Sequence, residues 1–275
     1  MGRRTRRGPC RPRGDGLCAA ARRGRGVAGA GRVTVGIAWV LGGGSGIGRG
    51  AAVSLAVSAE LVVVSGRRVD ELQRTVDAVH AAGGRAVALP VDVADEAAVA
   101  QAAEIIGADH GPVRTLVYSA GTNVRNRFWD DTSPRDFARV VDINLTGAVR
   151  AIHAVLPAMR REGDGLVVLV SSWAGWRFAP GVGAGYSTSK TAMGALAETV
   201  NAQERLHGIR ATHFCPGEVA TEILDTRPNP PSADERARML TADDVGDAIR
   251  WIAELPPRIC VNEIVFTPTS NTSYA

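Results

Sequence analysis

Tyr186 and Lys190 stand four residues apart in the run Tyr-Ser-Thr-Ser-Lys, a spacing that puts both on one face of a helix. A phenol ordinarily titrates near pH 10 and exchanges protons poorly at neutral pH. A neighbouring ammonium favours the phenolate by Coulomb attraction, so such a pair can work as a general acid and base. The spacing alone is common by chance. What singles it out is that Lys190 is the only lysine in a chain with 31 arginines. A surface position in such a chain would accept arginine, whereas a compact ammonium in a confined place cannot be replaced by a planar guanidinium.

A second group could hold phosphate. Leu41 ends an apolar run and is followed by Gly42, Gly43, Gly44, Ser45, Gly46, Ile47 and Gly48, then by an alanine-rich stretch. Glycines allow turn geometries that a Cβ forbids and let the main chain approach a pyrophosphate, while the amides of a following helix face its charge. Gly42, Ser45, Gly46, Ile47 and Gly48 are therefore the candidate phosphate cradle. An NAD site carries an acidic side chain about 20 residues further on, whose charge would repel a 2′-phosphate. Here the next strand-like run ends in Ser65, Gly66, Arg67 and Arg68, with no acid and two cations able to pair with phosphate. NADP is favoured over NAD on this ground; the plainer alternative is that both arginines are solvated residues at a helix start.

These groups need a scaffold. Short β-branched runs at 33–41, 61–65, 86–91, 115–119, 166–171, 210–215 and 263–267 alternate with longer amphipathic segments at 46–58, 70–82, 96–109, 136–161, 185–207 and 243–255. That alternation predicts a doubly wound α/β domain, a seven-stranded and mainly parallel sheet with helices on both faces. Residues 222–240, broken by Pro228, Pro230 and Pro231, read as a mobile substrate loop at the carboxyl edge of the sheet, where such folds bind ligands.

In order along the chain, Gly42-xxx-Gly46-x-Gly48, the Ala120-Gly121 of Tyr118-Ser119-Ala120-Gly121, Ser172, Tyr186-xxx-Lys190 and Pro216-Gly217 resemble the short-chain dehydrogenase/reductase family, over residues 33 to about 268. The resemblance implies a single Rossmann-type domain, placed at 33–275. It implies that Tyr186 exchanges the proton of the substrate oxygen, that Lys190 lowers the phenol's pKa and holds the nicotinamide ribose, that Ser172 hydrogen-bonds the reacting oxygen, and that Asn144 supports a water relay to the lysine. It places Asp92 and Val93 at the adenine and Ala120 and Gly121 along the cofactor. Pro216 and Gly217 fall beside the nicotinamide, with Val219 and Thr221 at its carboxamide and the phosphates. Taken without that context, Asp92 is an N-cap, Asn144 a polar group bonded to its own helix, and Pro216-Gly217 a plain turn. The chain departs from the family pattern at Leu41, where threonine is usual, and at Tyr118-Ser119, where two asparagines are usual. The spacing from Ser172 to Tyr186 is one residue longer than the commonest.

The expected function is hydride transfer between NADP(H) and a carbonyl or secondary alcohol of a small organic substrate; the alternative is a catalytically silent NADP(H)-binding regulatory or assembly protein. Trp173, Trp176 and Phe178 form either an apolar substrate wall or packing. The long helices at 136–161 and 185–207 are expected to pair subunits into a homodimer or homotetramer. Ten arginines and only Asp15 among acids lie in residues 1–32, read as a disordered Arg/Gly-rich extension, and they account for the pI of 9.2. The remainder carries 22 basic and 27 acidic residues, which argues against a nucleic-acid partner. His80, His110, His153, His207 and His213 form no close ligand pair in the sequence, so no metal is expected. Four cysteines without a CxxC pair fit a reduced, cytoplasmic setting, and no apolar run approaches the roughly 18 residues that cross a bilayer.

Overall fold

The structure, a computed structural model, describes residues 35–271; the extension at 1–32 lies outside the described residues. The strands are β1 Gly36–Leu41, β2 Ala59–Ser65, β3 Ala86–Ala88, β4 Val113–Tyr118, β5 Gly165–Val170, β6 Ile209–Pro216 and β7 Glu263–Phe266. They form one sheet in the order β3-β2-β1-β4-β5-β6-β7, with every pairing parallel. The winding therefore reverses between β1 and β4. Loops leaving those two strands diverge and open a crevice at their carboxyl ends.

The helices are α1 Gly46–Leu55, α2 Val69–Ala81, α3 Glu96–Asp109, α4 Pro134–Val141, α5 Gly147–Glu162, α6 Trp173–Trp176, α7 Ala184–Glu204, α8 Ala233–Arg236 and α9 Ala242–Ala253. Successive strand residues point to opposite faces, and each face is covered. Trp39, Leu41, Leu116, Val167 and Leu169 pack with Ile106, Ile152, Met159 and Met193 of α3, α5 and α7. Ala38, Val40, Val117, Val168 and Phe214 pack with Leu55, Leu72 and Ile249 of α1, α2 and α9. Double burial is why the strands read as unbroken apolar runs. The one buried indole nitrogen in β1 is satisfied, since Trp39 Nε1 donates to Ser65 Oγ at 2.9 Å.

Three expectations need correction. The segment 136–161 is helical throughout but not uniformly α: α4 runs into α5 through a π-helical turn, Asp142–Thr146, which sequence periodicity cannot register because it inserts a single residue into the 3.6-residue repeat. Asp92 does not cap the helix that follows; Asp95 does, accepting from Ala98 N at 3.0 Å, while Asp92 accepts from Ala94 N. The segment 222–240 is more regular than its prolines imply. It holds a 3-10 turn, Glu222–Thr226, with Leu224 buried, and α8, closed by a capping box between Ser232 and Glu235. A bridge from Val219 to Leu240 ties its ends together. No described helix is long and apolar enough to cross a membrane.

α1 and α9 touch through glycine. A Cβ on Gly246 would strike the Gly50 carbonyl, and one on Gly50 would strike the Ala242 carbonyl. Gly246→Val should therefore lower stability by about 1–3 kcal/mol through overpacking, read as a fall in the urea midpoint with an unchanged slope; an unmoved midpoint would refute this close contact.

Candidate active site

The glycine turn follows β1 directly. Gly42 has φ +79°, and a Cβ there would meet the Ala120 amide nitrogen at 2.5 Å. A Cβ on Gly48 would strike the Gly42 carbonyl. The turn is thus closed on itself and against the loop after β4. Gly42 and Gly43 amides both donate to Ser65 O, at 2.8 and 3.0 Å. No side chain caps α1, so its first amides face the crevice without an internal acceptor, as phosphate binding requires.

Leu41 leaves the turn without a threonine hydroxyl, and a network absent from the sequence reading replaces it. Arg49 donates to Gly44 O at 2.5 Å, to Glu71 Oε2 at 2.7 Å and to Thr75 Oγ1 at 3.2 Å. Thr75 donates to Gly43 O at 2.8 Å. The Arg49 hydrogen bond holds the Glu71 carboxyl below its ordinary pKa. A signal existed: a cation near the N-terminus of a helix opposes the macrodipole and needs another reason to be there.

The crevice continues into a cleft of about 890 Å3. Gly42, Ser45, Gly46, Ile47, Arg67, Arg68, Asp92, Val93, Ala120, Gly121, Ser172, Trp173, Tyr186, Lys190, Pro216, Gly217, Val219 and Thr221 all lie on its wall. Gly48 and Asn144 do not: Gly48 packs behind the turn, and Asn144 is fully buried under the loop after β4. Arg68 already donates to Ser45 Oγ at 2.9 Å and pairs with Glu222 at 3.7 Å, whereas Arg67 is exposed at the rim.

Lys190 reaches the cleft from α7, with Tyr186 one turn earlier. Its Nζ donates to Val170 O at 2.7 Å and lies 5.8 Å from the centre of the Tyr186 ring. Burial pushes the lysine's pKa down to about 8. The phenol's pKa moves up, because burial outweighs a side-chain hydrogen bond with Ser172 and the fields of Arg227 and Arg127. Lys190 is not among the groups that shift this phenol, and its ammonium is engaged by the Val170 carbonyl. Ser172 caps α6, its Oγ accepting from Ala174 N at 3.2 Å, which leaves its one proton to donate.

Asn144 sits in the π-helical turn. Its Oδ1 accepts from Thr122 N at 2.8 Å, and its Nδ2 donates to Thr122 O at 3.1 Å and Ser189 Oγ at 3.0 Å. It bonds across to the loop after β4 and to α7, not to its own helix. Tyr118 fills the place of an asparagine and donates to Ile143 O in the same turn at 2.5 Å. Trp176 packs edge-on against Trp173, centroids 5.1 Å apart, and is absent from the cleft wall, which Trp173 and the exposed Phe178 share. The histidines do yield one cluster: His213, Cys215 and Glu263 converge across β6 and β7. Cys215 Sγ is almost equidistant from both ring nitrogens, 3.5 and 3.4 Å. The sulfur consequently lies over the ring face, away from the in-plane lone pair a metal would use.

A family model described as short chain dehydrogenase matches residues 36–231. The short-chain reductase protein NovJ of Streptomyces niveus is 35% identical over 189 residues, 69% of this chain and 71% of that protein. A sulfoacetaldehyde reductase of Chromohalobacter salexigens is 30% identical over 240 residues, 84% of this chain and 93% of that protein. Glycine betaine reductase ATRR of Emericella nidulans is 30% identical over 237 residues, and this chain spans 18% of its length. Among solved structures, an alcohol dehydrogenase from the archaeon Thermococcus sibiricus complexed with 5-hydroxy-NADP aligns with TM-score 0.76 at 25% identity, covering 86% of this chain and 97% of that one.

Asn144→Leu would leave the Thr122 amide and carbonyl without their partner. We expect a loss of about 1–3 kcal/mol in denaturant unfolding; stability equal to that of the unaltered protein would show the loop to be held by something else.

Proposed function

The chain belongs to the short-chain dehydrogenase/reductase family of oxidoreductases, and from that premise we propose that it transfers hydride between NADP(H) and the carbonyl or secondary alcohol of a small organic substrate, with Ser172, Tyr186 and Lys190 at the reacting oxygen. The observation that carries this reading is the convergence of those three side chains on one cleft that also contains the glycine turn. The residues fit a dinucleotide: the turn is a cradle that a Cβ would fill, and the helix behind it has an uncapped N-terminus. Gly42, Ser45, Gly46 and Ile47 would hold the pyrophosphate, with Gly48 shaping the turn from behind. Arg67 would meet a 2′-phosphate, with Arg68 fixed beside it, and Asp92 and Val93 would border the adenine. Ala120, Gly121, Pro216, Gly217, Val219 and Thr221 would line the remaining length. The bound nicotinamide supplies or accepts the hydride.

The protein's own part is proton control and positioning. Burial keeps the Tyr186 phenol protonated at neutral pH, the state needed to give a proton to a carbonyl oxygen as negative charge develops there. Ser172, which hydrogen-bonds the phenol here, would donate to the same oxygen once substrate is bound. Lys190 is predominantly charged at neutral pH and would both bind the ribose and favour transient phenolate. Asn144 acts as a positioning residue, fixing the loop after β4 against α7. NADP over NAD is supported by Gly66, Arg67 and Arg68, with no acid among them, directly after β2 and by the NADP derivative named for the Thermococcus sibiricus structure. Pairing of subunits through α5 and α7, giving a homodimer or homotetramer, and a cytoplasmic location are part of the same proposal.

Tyr186→Phe should cut NADPH-dependent ketone or aldehyde reduction by about a hundredfold or more while NADPH still binds, followed by absorbance for turnover and fluorescence titration for binding. Turnover that survives the substitution would reject the proton-transfer role. Arg67→Asp should reverse the nucleotide preference, weakening NADPH and improving NADH in parallel titrations; an unchanged ratio would remove Arg67 from the phosphate site.

A further inference from the structure

Arg127 follows β4 and is 6% exposed, yet it lies on the wall of the cleft. Its side chain passes against Gly183, the residue preceding α7, where a Cβ would meet Arg127 Cβ at 2.7 Å. Three residues further on is Tyr186. Nε donates to Val124 O at 2.8 Å and Nη2 to Thr226 O at 2.7 Å. Both acceptors are neutral carbonyls. Nη1 has no hydrogen-bond partner, and the guanidinium forms no ion pair, among the described residues.

The neighbouring cations are different. Arg68 has Ser45 and Glu222, and Arg227 has Glu218 at 2.8 Å. Only Tyr186, as phenolate, and then Asp131 attract Arg127, both without a hydrogen bond or ion pair to it; the phenol is held protonated by burial, and Asp131 Oδ1 accepts from Phe128 N. A buried arginine normally comes with a counter-ion, because an isolated charge loses hydration that neutral carbonyls only partly replace. Burial and the field of Arg227 both push against the charged form here. A strut joining the loop after β4 to the turn after β6 would need two N–H donors and no charge. The charge and the unused Nη1 need a different explanation.

We infer that the counter-ion is the substrate: the cleft takes an aldehyde, ketone or alcohol bearing an anionic group such as a carboxylate or sulfonate, received by Arg127 while the reacting oxygen meets Tyr186. This rests on the hydride-transfer reading above and names the substrate class for that same site. Arg127 is the specificity-determining residue, and Arg227 adds to the positive field at the phenol.

The test compares pairs that differ only in charge: succinic semialdehyde with its methyl ester, and para-carboxybenzaldehyde with its methyl ester, each with NADPH. Removing a charge-assisted hydrogen bond corresponds to about ten- to hundredfold. We expect the acid's kcat/KM to exceed the ester's by that factor in at least one pair, chiefly through KM. In Arg127→Met the ratio should fall to near one, and Arg127→Lys should restore part of it. Equal acid and ester values in both pairs, or a ratio that survives Arg127→Met, would overturn the anion site and leave hydride transfer standing. If no aldehyde is reduced, hydride transfer to these substrates fails, and calorimetry with the corresponding hydroxy acids decides the anion site without turnover. Binding that disappears in Arg127→Met and returns in Arg127→Lys supports it; no binding to the unaltered protein rejects it.

Discussion

Where the sheet reverses its winding between β1 and β4, two main chains approach so closely that no side chain fits between them. Gly42 abuts the Ala120 amide, and Gly48 abuts Gly42 from the other side. Every later feature of the cleft depends on this contact. It brings the amides of α1 to the same opening as the loop after β4, and it brings that loop over Lys190 and Asn144, both of which approach the Cβ position of Gly121 within 3.6 Å. Parallel pairing then carries β5, β6 and α7 to the same edge, so groups far apart in sequence share one cleft.

Inside that cleft the electrostatics are those of burial. Lys190 is pushed toward neutrality and Tyr186 toward protonation, each by loss of water, and Arg127 is buried with carbonyls alone. Two cations without a carboxylate partner thus lie beside a phenol able to donate, and an anionic ligand would oppose what burial does to both cations. In a low-dielectric site such fixed donors act more strongly than they would in water.

The periodicity of the sequence carried the sheet and its order of elements, because doubly buried strands and one-sided helices leave plain patterns; Glu96–Asp109 matches its expected bounds. The chemistry-bearing motifs were legible for the same reason, since Tyr186, Lys190 and the glycine turn are each local in sequence. What was not legible is long-range. Arg49 looked like any helix residue until Glu71 and Thr75 folded against it, and Arg127 lay in a stretch with no pattern at all. His213 and Cys215 alternate along a strand, but Glu263 reaches them only through the β6–β7 pairing. The π-helical turn escaped because its one-residue insertion is invisible in the hydrophobic repeat.

The solitary lysine can now be given a steric reason. Nζ lies against Val170 O and the Met193 sulfur, a Cβ on Gly121 would meet it at 3.5 Å, and Gly175 lets α6 press so closely on α7 that a Cβ there would meet the Lys190 carbonyl. A guanidinium is broader than an ammonium and carries its donors in a fixed plane. In its place that plane would have to fit beside Val170 O, the Met193 sulfur and the loop that carries Gly121, the same loop whose Ala120 abuts Gly42. The one lysine of the chain thus stands where the room for a cation is bounded by the loop that also closes the phosphate turn.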